Sequence, residues 1–349
     1  MPEGHSIHRI ARQFRANFVG RRVAASSPQG RFAAGADMLD GREVLASNAV
    51  GKQLFVEFGP KAGDAGQRIL RVHLGLYGAW DFAGEVTVDP TLLAAGGRIG
   101  QTNQRGTFLE DIAPELDSGF VPDSLPEESL DSIGAPRRAR LRMAESERET
   151  ALEDFPPAPV GAVRLRLLTE TTVADLRGPT ACEVLDPEQV RQVLAKLGPD
   201  PLVDSGKKAE DAFVAKVRKK PTAIGLLLMD QSVISGIGNV YRAELLFRAR
   251  LDPHTPGRDV PERQLRAIWR DWTKLLTIGV ETGQMMTKDD LEPDEYRRAM
   301  ASRDERHYVY KQTGKKSPRG KGEVVMEDMG GRSLYWAPGW QKRPAPKVD

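Results

Sequence analysis

The first residues of the chain combine a secondary amine with a carboxylic acid. The sequence begins Met1-Pro2-Glu3-Gly4, and removal of Met1 would leave the Pro2 nitrogen as a free amino group. The pKa of an α-amino group lies about 2–3 units below that of a lysine ammonium, so a useful fraction is neutral near pH 7. Such an amine can attack the aldehyde carbon of a sugar and form a Schiff base, while Glu3 delivers a proton to an oxygen that leaves.

Two further segments could bind the phosphates or bases around such a sugar. Gly51-Lys52 lies at the turn before a β-like run, where the lysine is either a phosphate-binding residue or an ordinary surface charge. Leu76 and Tyr77 lie between two glycines. Bulky apolar side chains that are exposed on a tight turn can wedge into a duplex, although they could equally point into a core.

The second half of the chain contains two glycine-rich candidates. The segment 231–244 has two glycines just before Asn239, so backbone N–H groups could converge there at a helix start and bind a phosphate. An ordinary corner between two helices is the open alternative. Gly330-Gly331-Arg332 places an arginine on a turn, where its guanidinium could bond two phosphate oxygens or remain a plain surface charge.

The periodicity of apolar residues predicts an α+β fold that could hold these segments. Residues 3–18 have the spacing of an amphipathic helix. Short β-like runs bounded by Gly and Asp turns between 22 and 82, with alternating apolar residues at 163–167, predict a β-sandwich. We therefore predict three domains: an N-terminal catalytic β-sandwich domain at 1–185 with a loop insertion at 106–160, a helical domain at 186–301, and a hairpin at 302–345.

Local signals refine this prediction. Asp186-Pro187-Glu188 is typical of a helix start, and the stretch 261–280 predicts a helix whose two tryptophans lie in its core. In the last domain we predict that residues 307–310 pair with residues 323–326 across a basic, glycine-rich turn. Such a hairpin would not be stable alone and must pack on the helical domain.

Composition narrows the class of protein. The net charge is only +2, but residues 107–136 hold eight acids and no Lys or Arg, whereas residues 297–349 hold thirteen Lys and Arg against six acids. A basic C-terminal region is typical of a surface for a polyanion such as DNA, with a solvated charged face as the alternative. No apolar run is long enough to span a membrane, and no apolar segment after Met1 predicts a signal peptide.

Cysteine and histidine usage predicts neither a disulfide nor a metal site. Cys182 is the single cysteine, which excludes an internal disulfide and a cysteine zinc cluster, and the five histidines are scattered. We therefore expect a protein of the reducing cytoplasm, without a metal or a redox cofactor.

Taken together and in this order, the motifs resemble those of the formamidopyrimidine-DNA glycosylase and endonuclease VIII family. The resemblance covers nearly the whole chain apart from 106–160, and the opening segment together with Leu76-Tyr77 is closer to the endonuclease VIII-like branch. One departure stands out. The four positions where the family usually has zinc-binding cysteines read Ser317, Gly320, Ala337 and Trp340, which resembles the zincless finger of some members.

The resemblance implies a bifunctional DNA glycosylase and abasic-site lyase that removes oxidised bases from double-stranded DNA, with pyrimidines as the expected class. It implies that the helical domain is a helix–two-turn–helix domain, and that the enzyme works as a monomer. It implies catalytic roles for Pro2, Glu3, Lys52 and Arg332. The residues implied to contact DNA are Asn239, Leu76, Tyr77 and His73.

Three alternatives remain at this stage. The same chemistry could serve oxidised purines, namely formamidopyrimidines and 8-oxoguanine. The chain could bind damaged DNA without catalysis, although intact Pro2 and Glu3 argue against this. It could also be an unrelated α+β protein whose motifs agree by chance, which four matches in the same order make improbable. The chemistry requires that residues from both ends of the chain act on one sugar-phosphate, so we expect the two domains to face each other across a cleft.

Overall fold

The computed structural model describes residues 2–61, 63–87, 93–94, 98–99, 132–135 and 155–345. The chain forms two compact units. The N-terminal unit comprises Met1–Ala195 and Val280–Gln284, and the C-terminal unit comprises Lys196–Gly279 and Met285–Asp349. The predicted division at 185 and 301 stays a prediction.

Two antiparallel sheets build the N-terminal unit, as the short β-like runs predict. The sheets have the orders β1-β9-β10-β5-β8 and β11-β4-β3-β2, and β6 pairs separately with β7. The strands are β1 (Ala24–Ser26), β2 (Val44–Val50), β3 (Gln53–Phe58), β4 (Arg68–His73), β5 (Ala79–Gly84), β6 (Leu93–Ala94), β7 (Arg98–Ile99), β8 (Ser132–Gly134), β9 (Val163–Leu168), β10 (Thr172–Arg177) and β11 (Ala181–Leu185).

The first helix, α1 (Gly4–Asn17), confirms the helix predicted at 3–18. Its apolar face is buried in the core that both sheets share, because the side chains of Ile7, Ile10 and Phe14 are at most 1% exposed. The Phe14 and Trp80 rings pack edge-to-face, with their centroids 4.8 Å apart. Burial of each such side chain stabilises the fold by about 1.5–3 kcal/mol, so α1 is a rigid support for the residues that precede it.

Part of the stretch predicted as a loop insertion belongs to the sandwich. Strand β8 pairs with β5, and the Ile133 side chain is fully buried in the shared core. Three residues are too few to show the alternation that identifies a strand in sequence, and this explains why it was missed. Most of the 106–160 segment lies outside the described residues.

Helices dominate the rest of the chain. A short helix, α2 (Ala33–Leu39), lies in the N-terminal unit. Asp186 caps α3 through the Gln189 amide and forms a capping box, as the Asp-Pro-Glu segment predicts. The helices from there on are α3 (Pro187–Leu194), α4 (Lys207–Arg218), α5 (Ile224–Leu227), α6 (Asn239–Arg248), α7 (Glu262–Thr282) and α8 (Pro293–Ala301), with 3₁₀ turns at Gly257–Asp259 and Arg303–Glu305.

Helix α7 confirms the prediction made for 261–280. Trp272 is fully buried and Trp269 is 6% exposed, so both tryptophans are core residues. No helix in the part of the chain that the structure describes is long and apolar enough to cross a lipid bilayer.

The chain ends in a β-hairpin, but its pairing differs from the predicted one. Strand β12 (Val325–Asp328) pairs with β13 (Ser333–Trp336), and residues 307–310 form no strand. The amides of 308–310 donate instead to the carboxylate of Glu244, so they are not available for a strand ladder. A hairpin is present within 302–345 as predicted, but the predicted pairing of residues 307–310 with residues 323–326 was wrong.

Candidate catalytic site and nucleic-acid interface

Pro2 and Glu3 are held at the start of α1. Both residues are buried, and the Glu3 side chain is fully so. Glu3 is the N-cap residue with an extended backbone, and its carbonyl accepts a hydrogen bond of 3.1 Å from the Ser6 amide. Pro2 and the Glu3 carboxyl group are therefore parts of the folded N-terminal unit rather than of a loose terminal segment.

Lys52 and His73 lie at the same end of the neighbouring strands β3 and β4. Gly51 and Lys52 form the two-residue turn between β2 and β3, and Gly51 has a positive φ of 59° that favours glycine. His73 ends the neighbouring strand β4. Burial, together with the positive charges of Lys52 and Arg71, lowers the pKa of His73 below its ordinary value. At neutral pH the imidazole is therefore uncharged.

We expect Lys52→Gln to raise the pKa of His73, because the substitution removes one of the two nearby positive charges. The wild-type imidazole binds fewer protons than its unfolded counterpart between its folded pKa and about 6.5. Its contribution to stability therefore falls as the pH drops through that window. An NMR titration of His73 measures the shift. Lys61→Gln, beyond the other end of β3, is the control and should leave the titration unchanged; an equal shift in both variants would contradict the assignment.

Leu76 and Tyr77 project from a closed turn after β4. The Gly78 amide donates to the Leu74 carbonyl at 3.0 Å. A Cβ on Gly75 would lie 1.8 Å from the Thr180 hydroxyl oxygen, and one on Gly78 would lie 2.4 Å from the Leu74 carbonyl oxygen. Both glycines are therefore required. The two bulky side chains are 50% and 48% exposed, so in this structure they do not fill the sandwich core.

In the C-terminal unit, Asn239 is the first residue of α6. It follows Gly236, whose φ is 92°, and Gly238, which is the N-cap. The Asn239 side chain is 7% exposed. Its amide nitrogen donates to the Ser333 carbonyl at 2.8 Å, and its oxygen accepts from Arg242 at 2.5 Å. The side chain therefore links the glycine segment to strand β13.

Arg332 is exposed at the end of the tight turn that joins β12 to β13. Gly330 and Gly331 have φ of 68° and 73°, which is the conformation of a two-residue turn that only small residues adopt readily. The Met329 amide donates to the Arg332 carbonyl at 2.9 Å. The Gly331 amide donates to the Asp328 carboxylate at 3.1 Å. This arrangement presents the arginine at the tip of the hairpin.

Two buried charged residues of α6 were missed by sequence reasoning. Arg242 and Glu244 are both fully buried. One Glu244 oxygen accepts from the amides of Val309 and Tyr310 at 2.8 Å each. The other accepts from the Tyr308 amide at 2.8 Å and the Thr287 hydroxyl at 2.6 Å.

Burial raises the pKa of Glu244, and these four donors oppose that shift. In the sequence, the signal that could have identified Arg242 and Glu244 is their position among the apolar residues of α6.

The four positions that hold zinc in related fingers do not supply a metal-binding set. Ser317 donates its hydroxyl hydrogen to the Arg319 carbonyl, and Gly320 and Ala337 have no donor atom in their side chains. The Trp340 indole N–H donates to the Phe247 carbonyl at 2.9 Å. Tyr335 and Trp340 pack against the buried cluster of Ala243, Phe247, Tyr308, Val309, Val324 and Ala337. Apolar packing and one indole hydrogen bond thus connect the finger to α6.

Comparisons with known proteins agree with this architecture. The sequence model of the formamidopyrimidine-DNA glycosylase N-terminal domain matches residues 1–108, and that of the formamidopyrimidine-DNA glycosylase H2TH domain matches residues 197–290. Endonuclease 8 1 of Mycobacterium tuberculosis is 34% identical over 338 residues, which is 97% of this chain and 98% of that protein. Formamidopyrimidine-DNA glycosylase of Neisseria meningitidis is 30% identical over 44% of this chain and 54% of that protein.

Solved structures show the same fold. A Lactococcus lactis Fpg in complex with DNA containing an abasic site superposes with a TM-score of 0.62 at 17% identity, covering 97% of this chain and 99% of that one. Fold and sequence together define a DNA glycosylase of base-excision repair with abasic-site lyase activity. The chain belongs to the formamidopyrimidine-DNA glycosylase and endonuclease VIII family, which confirms the resemblance noted in its motifs.

Proposed function

We propose that this protein excises oxidised bases, chiefly pyrimidines, from double-stranded DNA through a Schiff base on Pro2, and then cuts the strand by β,δ-elimination. The observation that supports this most is the placement of Pro2 and Glu3, which are both buried at the fixed start of α1. A protein that only bound DNA would have no use for an amine and a carboxyl group in this position.

Pro2 and Glu3 divide the work on the sugar. The damaged nucleotide is turned out of the duplex, because its C1′ atom cannot be reached inside the stack. The Pro2 nitrogen attacks C1′, the glycosidic bond breaks, and the base leaves with its electron pair and takes up a proton. Glu3 then protonates the ring oxygen O4′, the C1′–O4′ bond opens, and the amine nitrogen forms the iminium with C1′.

Elimination follows from the iminium. Loss of a proton from C2′ expels the 3′ phosphate, a second elimination expels the 5′ phosphate, and hydrolysis releases Pro2. We assign Lys52 and Arg332 to the phosphates that flank the lesion, where a cation stabilises the departing charge. Asn239 is proposed to contact the same backbone, and His73, uncharged at neutral pH, could donate one N–H to a phosphate.

Leu76 and Tyr77 are proposed to fill the gap that the turned-out nucleotide leaves in the duplex. Their exposure on a turn closed by two obligatory glycines supports this role, because the wedge would be presented without rearrangement of the backbone. The preference for pyrimidines is supported by the match to an endonuclease VIII along 97% of this chain, against 44% for a formamidopyrimidine-DNA glycosylase. We also propose that the enzyme acts in the bacterial cytoplasm, associated with the nucleoid, and the bacterial origin of these relatives supports this.

Borohydride trapping on an abasic duplex tests the chemistry. The wild-type protein should give a covalent adduct with the DNA, and Pro2→Gly should lose it while still binding the duplex. Leu194→Ala, on the exposed side of α3, is the control and should trap like the wild type. A wild-type protein that binds the abasic duplex normally and gives no adduct would refute the Schiff base. A panel of duplexes with oxidised pyrimidines or purines then decides the specificity.

A further inference from the structure

We propose that Arg242 is the residue that positions Arg332, by bonding the backbone on both sides of the turn that carries it. The inference rests on the proposed function, in which Arg332 binds a phosphate next to the lesion. Arg242 lies in α6, one turn after Asn239. None of its side chain is exposed, so in this structure it does not form part of a DNA-binding surface.

The guanidinium of Arg242 meets the turn from the inside. One terminal nitrogen donates to the Met329 carbonyl at 3.4 Å, and the other donates to the Ser333 carbonyl at 3.1 Å. Met329 is the residue before Gly330-Gly331-Arg332, and Ser333 is the residue after it. A single side chain thereby bonds both ends of the five-residue segment 329–333, which determines where the Arg332 side chain begins.

The hairpin needs such a support. A two-stranded hairpin is marginally stable on its own, and consecutive glycines give its turn more conformational freedom than any other pair of residues. An arginine suits the task because its guanidinium carries five N–H donors in a rigid planar fork and can reach two carbonyls at once. A lysine ammonium at the same place is a single centre on a flexible stem and would bond one carbonyl at a time.

Arg242 also fixes the orientation of Asn239. The nitrogen that donates to Ser333 is 2.5 Å from the Asn239 side-chain oxygen, and this directs the Asn239 amide nitrogen towards the same Ser333 carbonyl at 2.8 Å. The Ser333 carbonyl therefore receives two hydrogen bonds from the start of α6. The Ser333 carbonyl thus joins the hairpin turn to the start of α6, which follows the glycine segment.

A double-mutant cycle with Arg332 tests the proposal. We expect Arg242→Met to slow strand cleavage of an abasic duplex at least about tenfold under single-turnover conditions, which corresponds to about 1.4 kcal/mol. Arg332→Ala should cause a similar or larger loss. If Arg242 acts through Arg332, the loss in the double variant should be smaller than the product of the two single losses, whereas independent sites would multiply their effects. Arg242→Lys should recover only part of the lost rate.

Arg248→Met is the matched control. Arg248 is in the same helix with a side chain 9% exposed, but it bonds Asp271 rather than the hairpin turn. In a cycle of Arg248→Met with Arg332→Ala, the losses in cleavage rate of the two single variants should multiply in the double variant. Hydrogen exchange of the Met329 and Gly331 amides provides a readout that does not depend on activity, and it should accelerate in Arg242→Met and not in Arg248→Met. Thermal melts confirm that each variant is folded.

The outcomes distinguish the positioning role of Arg242 from the phosphate-binding role of Arg332. Multiplicative losses for Arg242 and Arg332, or unchanged amide exchange in Arg242→Met, would overturn the positioning role. An Arg332→Ala variant with the wild-type rate would instead remove the proposed role of Arg332 itself. Exchange at the turn would then still show whether Arg242 holds it. Full recovery of both the rate and the exchange protection in Arg242→Lys would contradict the requirement for a two-armed donor.

Discussion

A protein that keeps Met1, or carries a tag, in front of Pro2 is expected to lose abasic-site lyase activity by about a thousandfold or more, as for the loss of a catalytic nucleophile. The acylated Pro2 nitrogen becomes part of a peptide bond, and resonance draws its lone pair into the carbonyl group. It can no longer attack C1′. Because Asn239 and Arg332 belong to the C-terminal unit, we expect binding to an abasic duplex to persist.

A cleavable tag makes this prediction reversible. The tagged protein should give no borohydride adduct, and protease treatment that leaves Pro2 as the first residue should restore both the adduct and strand cleavage. The same tag placed at the C-terminus controls for its bulk. Trapping by the tagged protein at the wild-type rate would show that the nucleophile is another amine, with Lys52 as the next residue to test.

The elements that the sequence predicted well are those whose periodicity is set by one buried face. Helix α1 has apolar residues at helical spacing, and β3 and β4 are short apolar runs bounded by turns, because each packs against the same sandwich core. The pattern carries no such information in the hairpin, where Val325 and Met326 are 37% and 51% exposed. Residues 308–310 do not pair with the hairpin because their amides donate to Glu244. These residues are more than sixty positions from Glu244, so no local sequence pattern indicates the contact.

The residues of the candidate site also fall into those that the sequence indicates and those that only the structure identifies. Pro2, Glu3 and Lys52 could be recognised because their chemistry is visible in the residue type and in the adjoining glycine or helix. Arg242 could not, because its role depends on two backbone carbonyls that lie near it only after the hairpin has folded. An arginine or glutamate inside an apolar helical run does indicate a buried partner, but the partner is named only by the structure.

The finger illustrates how such contacts can hold a hairpin in which the four positions 317, 320, 337 and 340 carry no metal-binding set of side chains. Zinc binding would hold the hairpin by a few strong bonds at one point. In this chain the same task is spread over α6, where Asn239 and Arg242 bond the turn and Glu244 bonds the backbone at 308–310. Trp340 adds its ring and its indole N–H to the contact with Phe247. Helix α6 is therefore the support of the finger as well as the start of the glycine-flanked site.

Glu244→Gln is expected to destabilise the protein by about 2–4 kcal/mol, because it leaves buried backbone donors without an acceptor. The glutamine has nearly the same shape, but one of its two end groups is an NH₂ that faces N–H donors where a carboxylate oxygen accepted them. Residues 307–310 should then lose their anchor, and the finger should loosen with them. Urea unfolding monitored by tryptophan fluorescence measures the loss.

The control is Glu262→Gln, a glutamate whose side chain is 46% exposed and pairs with Arg266. Since exposed ion pairs contribute about 0–1 kcal/mol, its unfolding midpoint should shift little. Hydrogen exchange should quicken at the amides of Tyr308, Val309 and Tyr310 in Glu244→Gln alone. If Glu244→Gln unfolded at the wild-type midpoint with these amides still protected, the finger would not depend on this carboxylate, and the apolar cluster around Phe247 would have to hold it unaided.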